Sequence, residues 1–388
     1  MKRFPLVSYV LVSGLLISYG CKKDGVGEKL DPSLESISRK KFNPEEGNGG
    51  AVYVLSNQTS GNEVLVYNRL ANGSLTAAGS FSTTGIGTGA GLGSQGSVIL
   101  HDLEGYSYLI AVNAGSNDIT IFRVDDHGLT QVDKVSSHGI TPISVTAHED
   151  FVYVLNAGGS GNISGFRMTR DGRLSYLQNS TRSLSDDNAG PAQIQFNNEG
   201  TQLVVTEKNT NRISTYSVSD QGDPGNVISH SAIGITPFGF DFDNHDHLIV
   251  TDAFGGATAQ STVTSFNLSN NGNLSLVDGP KGTNQTSACW LAITNNGRYC
   301  YATNTGSASI TGYSIHDGAL TLLNADGVTA VTGTTPIDVS LSRNSKFLYN
   351  VNSSSHSITF FSVNEDGSLN AIGNVNGLPQ GAGGIAAR

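Results

Sequence analysis

Two acidic side chains in the sequence could carry out acid–base chemistry as a pair. Glu207 ends the apolar segment LVVTE, and Asp252 ends the similar segment LIVTD. Two carboxyl groups that lie close together can act as general acid and general base, or can bind a cation through their oxygens. We therefore predict that Glu207 and Asp252 are the catalytic residues if the protein is an enzyme.

Five asparagines end apolar segments of the same type, and we predict that they bind a ligand: Asn57, Asn113, Asn156, Asn304 and Asn352. We call these five residues, Glu207 and Asp252 the strand-end ring. A structural role is the alternative for all seven, because Asn and Asp side chains often satisfy the backbone of turns and strand ends.

A long repeat indicates which fold positions these residues. A β-branched residue followed three positions later by Tyr or Phe recurs about every 50 residues. Each copy follows a residue of the strand-end ring, and turns such as Asn-Gly or Asp-Gly come after it. A period of this length without a helical pattern predicts an all-β fold, a seven-bladed β-propeller with four-stranded antiparallel blades. The seven aromatic residues are Tyr67, Phe122, Phe166, Tyr216, Phe266, Tyr313 and Phe361.

The number of first strands predicts how the ring of blades closes. Six first strands lie between the repeats, for example at residues 143–147 and 238–242. The first repeat begins at its second strand with Val52, and a segment that resembles a first strand stands alone at residues 380–388. We predict that this C-terminal strand completes the first blade, so that no sheet edge is left exposed.

The channel face of such a fold is the expected ligand site. First strands begin and second strands end on the same face of a propeller, around its central channel. Gln193 and Trp290 lie on predicted first strands, and we predict that both contact a ligand. Trp290 could instead pack between blades, since a large aromatic ring serves either purpose.

Several segments resemble a known family. TGIGTGAGLGSQGSVIL, LIAVNAGSNDITIFRV, VYVLNAGGSGNISGFRM and LPQGAGGIAA are similar to the lactonase-like seven-bladed propellers, which are related to 3-carboxymuconate cyclase and 6-phosphogluconolactonase. The resemblance covers residues 51–388. It implies a propeller fold and, as one possible activity, lactone hydrolysis or a related isomerisation.

The resemblance also implies a set of site residues, and this chain departs from it. In lactonases and cyclases of this kind, a Pro followed by His or Arg at a first-strand start accompanies a Glu at a second-strand end. Glu207 matches that glutamate, but Pro191 is followed by Ala192 and Gln193. Neither Ala nor Gln can hold an anion as Arg does or transfer a proton as His does. A phosphorylated sugar lactone is therefore disfavoured as a substrate.

The N-terminal residues predict export. Lys2 and Arg3 precede an apolar run at residues 4–19, which is typical of a signal peptide and too short to span a bilayer. The sequence before Cys21 is similar to a bacterial lipoprotein processing site and predicts lipidation of that cysteine; secretion without a lipid is the alternative. We predict a signal peptide at residues 1–20, a flexible tether at 21–50 and the propeller at 51–388, on the periplasmic or surface face of the outer membrane.

Composition excludes some partners. The formal net charge is -10, and no stripe of basic residues occurs in the propeller repeats, so we expect no nucleic-acid partner. We also expect no cofactor and no metal site. A two-residue turn centred on Asn295 and Asn296 would place Cys289 opposite Ala302, with Cys300 on the same face. That diagonal geometry favours two buried thiols, and a disulfide is the alternative.

Two functions agree with these features. The first is a lipid-anchored binding or scaffold module, monomeric, whose channel face binds a small molecule, a glycan or a protein. The second is a lactonase or related hydrolase or isomerase that acts on a lactone or muconate-type substrate through Glu207 and Asp252. The missing cationic partner favours the first function, and the family resemblance favours the second.

Overall fold

The computed structural model of the chain describes residues 49–126 and 128–388. The predicted signal peptide, Cys21 and the predicted tether up to residue 48 lie outside the described residues. Within the described residues, every regular element except one short 3-10 turn, Phe254–Gly256, is a β-strand. No helix in this part of the chain is long and apolar enough to cross a membrane.

The strands form seven antiparallel sheets. In chain order they are β1 (Gly50–Leu55), β2 (Glu63–Arg69), β3 (Leu75–Ser82), β4 (Val98–Leu103), β5 (Tyr106–Asn113), β6 (Asp118–Asp125), β7 (Gly128–Ser136), β8 (Pro142–His148), β9 (Phe151–Asn156), β10 (Asn162–Met168), β11 (Leu174–Tyr176), β12 (Arg182–Ser183), β13 (Pro191–Phe196), β14 (Gln202–Glu207), β15 (Arg212–Ser217), β16 (Ile228–Ser231), β17 (Pro237–Phe242), β18 (His247–Asp252), β19 (Thr262–Leu268), β20 (Leu274–Gly282), β21 (Ala288–Ile293), β22 (Tyr299–Asn304), β23 (Ser309–His316), β24 (Ala319–Leu322), β25 (Ala330–Val331), β26 (Pro336–Leu341), β27 (Phe347–Asn352), β28 (Ser357–Val363), β29 (Leu369–Asn376) and β30 (Gly383–Ala387).

Each sheet is one blade, and the blades follow one another along the chain. From the channel outward, blade 1 consists of β30, β1, β2 and β3, and blade 2 of β4 to β7. Blades 3 to 7 start at β8, β13, β17, β21 and β26, and the short strands β12 and β25 pair with β10 and β23. The predicted seven-bladed propeller of four-stranded blades is confirmed.

The C-terminal strand closes the ring as predicted. β30 pairs with β1, with Val54 opposite Ile385, and all five of its residues are buried. The backbone N–H of Arg388 donates to the carbonyl of Ala51 at 2.9 Å. Because the last strand of the chain pairs with the first, blade 1 has an innermost strand like every other blade.

The second strands of the blades are almost completely buried. β9, β14, β22 and β27 are buried at every position, because they lie in the middle of a sheet with neighbouring blades on both faces. This burial explains why the sequences of these strands are nearly continuous apolar runs. A strand with only one buried face would instead alternate apolar and polar residues. Tyrosines on these strands also join the blades: the hydroxyl of Tyr349 in blade 7 donates to the carbonyl of Gly73, in the outer turn of blade 1, at 2.9 Å.

The hairpin of β21 and β22 differs in register from the sequence prediction. Ala302 lies opposite Leu291 and not Cys289, because the turn is longer than two residues, with the N–H of Thr294 bonded to the carbonyl of Tyr299 at 2.9 Å. A bulge between Ala288 and Trp290 then leaves Cys289 without a partner in this ladder. Cys289 and Cys300 are both buried free thiols, and they belong to different hydrophobic clusters. The expectation that they share a face was therefore wrong.

Candidate functional site

The strand-end ring lies on the upper face of the propeller, which we define as the face where first strands begin and second strands end. All seven of its side chains are buried, with exposed fractions of 0–1%. Each one is bonded to hydroxyl groups of its own blade or to groups of the adjoining loops. The ring is therefore not a set of polar groups open to the channel.

Three ring residues make equivalent contacts in three blades. Nδ2 of Asn304 donates to the hydroxyls of Ser309 and Thr311, at 3.1 and 2.9 Å. Asn352 bonds two hydroxyls of β28 in the same way, at 3.2 and 2.8 Å. In Asp252, a carboxyl oxygen takes the place of the amide nitrogen and accepts from two hydroxyls of β19. The shared geometry identifies a structural contact that either Asn or Asp can make.

Asp252 is a buried acid without a cationic partner. The two hydroxyls are those of Thr262 and Thr264, which donate to Oδ2 at 2.9 and 3.0 Å. No salt bridge within the described residues includes Asp252. Burial raises the pKa of Asp252 to about 7, although the two hydroxyl bonds favour the ionised form. The carboxyl group is therefore largely neutral below pH 7.

Glu207 is surrounded by hydrogen-bond donors. Oε1 accepts from the N–H of Ser185 at 3.0 Å and from the hydroxyl of Ser214 at 2.7 Å. Oε2 accepts from the hydroxyls of Ser185 and Thr210. A carboxylate satisfies all these donors because it offers only acceptors. Asp252 shares none of these partners, so the structure does not join the two carboxyls in one site, and their catalytic role stays a prediction.

The other two predicted ligand contacts lie nearer the channel. The side chain of Gln193 pairs with the backbone of Phe240 in the next blade, with bonds of 2.9 and 2.8 Å. The ring of Trp290 is 5% exposed and lies 4.8 Å from that of Phe238, between centroids. Nε1 of Trp290 donates to the carbonyl of Ser94 at 2.8 Å. Trp290 therefore packs inside the molecule, although part of it also lines a cavity described below.

Two further aspartates lie on the innermost strands, and the sequence analysis missed them. Oδ2 of Asp241 accepts from the N–H of Ile293 at 3.0 Å, and Oδ2 of Asp338 accepts from the N–H of Ile385 at 3.2 Å. Both N–H groups belong to the innermost strand of the next blade, whose channel-side edge has no neighbouring strand. Burial raises the pKa of both acids, that of Asp338 to about 7. These carboxyl groups hold neighbouring blades together at the channel.

The glycine-rich segment at residues 85–97, between β3 and β4, extends into the channel, and we call it the channel loop. Nζ of Lys208 donates to the carbonyl of Gly93 at 2.6 Å, and Trp290 bonds the next residue. The side chain of Gln95 pairs with the backbone of Leu291, with bonds of 2.6 and 3.0 Å. The loop from blade 2 is therefore attached to blades 4 and 6.

Two cavities lie on either side of the channel loop. The upper cavity, about 730 Å³, lies between residues 89–94 of the loop, residues 353–356 of blade 7 and residues 380–384 before and in β30. The lower cavity, about 540 Å³, is lined by the innermost strands, including Gln193, Gln195 and Asp241. Gln95 lines only the lower cavity and not the upper one, whereas Asp338 lines both cavities.

The upper cavity combines backbone groups with polar side chains. Its lining includes Trp290, Asp338, His356, several serines and many glycines, but no Lys or Arg. Glycines leave backbone N–H and C=O groups accessible, and these groups can bond a polar ligand. Among the described residues, no group of three His, Cys, Asp or Glu side chains could hold a metal ion. The cavity is suited to a neutral ligand with several hydrogen-bonding groups.

Lys208 is a cation that contacts the channel loop, and its amine is directed at backbone carbonyls. Its Nζ also donates to the carbonyl of Pro191 at 2.9 Å and lies 4.9 Å from the centroid of the Phe238 ring. Burial lowers the pKa of Lys208 to about 8, so the amine begins to lose its proton just above neutral pH. This role could not be predicted from the sequence, because Lys208 follows Glu207 in the chain but contacts distant segments.

Sequence and structure comparisons identify the class of protein. Three overlapping segments, residues 40–185, 160–277 and 259–381, match the family described as Lactonase, 7-bladed beta-propeller. The matches span most of the chain, which belongs to this family of seven-bladed propellers. Among curated proteins, no sequence has a significant match to this chain.

Solved structures share the fold at low sequence identity. A Lactobacillus plantarum protein has a TM-score of 0.69 at 16% identity, covering 88% of this chain and 99% of its own. A Bacteroides fragilis protein, provisionally named as a 6-phosphogluconolactonase, has a TM-score of 0.67 at 15% identity, with coverages of 89% and 100%. The periplasmic gluconolactonase of Pseudomonas aeruginosa has a TM-score of 0.64 at 15% identity, with coverages of 86% and 98%. These similarities concern the fold.

Proposed function

We propose that the protein is a binding module that holds a neutral, polar small molecule, such as a sugar, in the upper cavity. The lining of that cavity supports the proposal most directly, because it offers hydrogen-bonding groups and an aromatic surface without a Lys or Arg. A volume of about 730 Å³ is in the range of small-molecule sites. Because the strand-end ring is buried, the upper cavity is the better candidate of the two for a ligand that enters from the upper face.

The charge of the cavity favours a neutral ligand over an anionic one. Asp338 can donate as well as accept a hydrogen bond while it is protonated, which suits ligand hydroxyls. A phosphate or carboxylate would stand near this acid with no Lys or Arg in the lining to balance its charge, and an unpaired buried charge is costly. The amine of Lys208 is bonded to Gly93 and Pro191 instead.

A substitution that fills the cavity tests this function. Gly91 lines the upper cavity, and a Cβ added there would meet no atom within 4 Å, so a larger residue can be introduced without a backbone clash. We expect Gly91→Phe to weaken binding of a neutral aldose or aldonolactone about tenfold or more, and Gly91→Ala to bind nearly as the original protein does. Titration calorimetry measures both. Equal affinity in all three proteins would contradict the proposed site.

A second function, lactone hydrolysis, is supported by the family match and by Asp338. An acid with a pKa of about 7 in a cavity can transfer a proton near neutral pH. Turnover of a lactone panel that is lost in Asp338→Asn and kept in Asp252→Asn would support an enzyme. Lactone binding without turnover would support the binding module. Loss of turnover in both Glu207→Gln and Asp252→Asn, with turnover kept in Asp338→Asn, would instead point to the pair predicted from sequence.

For the location, we propose that the mature protein is a lipid-anchored monomer outside the cytoplasm, attached through Cys21 to the outer membrane. The sequence from Lys2 to Cys21 supports this location. Separately, the net charge of -10 disfavours nucleic acid as a partner. We expect mass spectrometry of the mature protein to find acyl chains on Cys21, and Cys21→Ser to move the protein to the soluble fraction. An unmodified N-terminus further downstream would exclude the anchor.

A further inference from the structure

We propose that the channel loop is a fixed plug in which Gln95 closes the channel and separates the upper cavity from the lower one. The evidence for the closure is the set of contacts that the channel loop makes with the blades. Its consequence, that Gln95 limits the size of a ligand in the upper cavity, rests on the proposed function.

Gln95 bonds across the channel as a strand residue would. Its Nε2 donates to the carbonyl of Leu291 at 2.6 Å, and its Oε1 accepts from the N–H of the same residue at 3.0 Å. Its own N–H donates to the carbonyl of Ala192 at 3.1 Å. Leu291 and Ala192 belong to the innermost strands of blades 6 and 4, while Gln95 directly precedes the innermost strand of blade 2. The residue thus joins three blades across the channel.

The backbone of blade 5 approaches this side chain closely. A Cβ on Gly239, in the innermost strand of blade 5, would lie 2.3 Å from Oε1 of Gln95 and 2.5 Å from the carbonyl oxygen of Cys289. Only a residue without a side chain allows blade 5 to approach the loop so closely. Gly239 is therefore part of the closure.

Other contacts hold the loop on both sides of Gln95. Lys208 and Trp290 bond the carbonyls of Gly93 and Ser94. On the other side, the N–H of Val145 in blade 3 donates to the carbonyl of Gly96 at 2.9 Å. Blades 3, 4 and 6 therefore bond the consecutive residues 93–96 of one segment, which is typical of a fixed element and not of a mobile lid.

The loop forms the partition between the cavities. Residues 89–94 line the upper cavity, and Gln95 and Gly96 line the lower one. A ligand that enters from the upper face therefore meets the loop before it reaches Gln193 or Asp241. Shortening Gln95 should join the two cavities and admit a longer ligand.

Cys289 provides a natural reporter of this closure. It is 8% exposed, close to the residues that hold the loop, and burial raises the pKa of its thiol to about 12, so we expect slow reaction with thiol reagents in the native protein. Cys300 is completely buried in another cluster and serves as an internal control. Peptide mass spectrometry distinguishes the labelled residues without removing either cysteine.

The experiment compares native-state labelling of the full chain with that of Gln95→Ala and Gln95→Asn. The asparagine keeps the amide but is one methylene shorter. We expect both variants to label Cys289 about tenfold faster or more, with Cys300 unchanged. Gln193→Ala, which also removes an amide bonded to a neighbouring strand but leaves the partition intact, should not accelerate Cys289. Unchanged labelling, or equal acceleration of both cysteines in both Gln95 variants, would overturn the proposal. Failure of sugar binding would leave this result unaffected.

Discussion

Asp252→Asn should stabilise the protein by about 2–4 kcal/mol at pH 8. Two ring asparagines already make the same contacts with paired hydroxyls in blades 6 and 7. An amide at position 252 would donate to the oxygens of Thr262 and Thr264, whose hydroxyl hydrogens can turn away. The substitution keeps the shape of the side chain and removes a buried acid.

The pH dependence of the effect follows from the raised pKa of Asp252. Below about pH 4, the carboxyl is protonated in both the folded and the unfolded chain, so its contribution to stability is fully present. Between pH 4 and about 7, the unfolded chain loses this proton while the folded chain keeps it, and stability falls as the pH rises. Above the folded pKa the loss is complete. The difference between Asp252→Asn and the original protein should therefore be small at pH 4 and largest at pH 8.

Denaturant unfolding at several pH values measures this difference. The exposed Asp220 supplies the control, because Asp220→Asn should not change the free energy of unfolding or its pH profile. A strongly destabilised Asp252→Asn variant at pH 8 would show that the folded state requires the charge. That outcome would favour the function predicted from sequence, in which Asp252 acts with Glu207.

Deletion of residues 381–388 should abolish cooperative folding or lower Tm by about 10 °C or more. The deletion removes β30, all of whose residues are buried, and it exposes the edge of β1. It also removes Ile385, whose N–H bonds Asp338 in blade 7. Blade 1 would then have three strands and would lose the contacts that β30 makes with the innermost strands of blades 7 and 2, and an open edge promotes aggregation.

Calorimetry and a sedimentation assay measure the effect of the deletion. A synthetic peptide of residues 378–388 supplies the control, because it can add the missing strand from solution. We expect the peptide to raise Tm and solubility of the shortened chain, and a scrambled peptide to have no effect. A shortened chain with the Tm of the original protein would refute closure by β30.

The sequence predicted the fold well because the repeat is local information. The recurring pairs of β-branched and aromatic residues mark the third strands, and turn residues separate them from their neighbours. The unpaired segment at residues 380–388 then led directly to ring closure. Local pattern was insufficient for the register of β21 and β22, because a bulge at Cys289 and a longer turn change the pairing without changing residue types.

The site was harder to predict because its contacts connect distant parts of the chain. Lys208 bonds Gly93, 115 positions away, and Gln95 bonds Leu291, 196 positions away. No periodicity relates these residues. For the strand-end ring, the structural role could have been recognised in the sequence. The third strands that follow Asn304 and Asn352 carry Ser or Thr at the positions that bond the amide. Such hydroxyls indicate a structural contact more directly than a site open to ligand.

The central claim is that a neutral polar molecule binds in the upper cavity and not at the strand-end ring. A crystal structure of the protein grown with a neutral aldose or aldonolactone tests it most directly. We predict ligand density between the channel loop, Trp290 and Asp338, with Glu207 and Asp252 keeping their hydroxyl partners. Density against Glu207 or Asp252, with those partners displaced, would contradict the account.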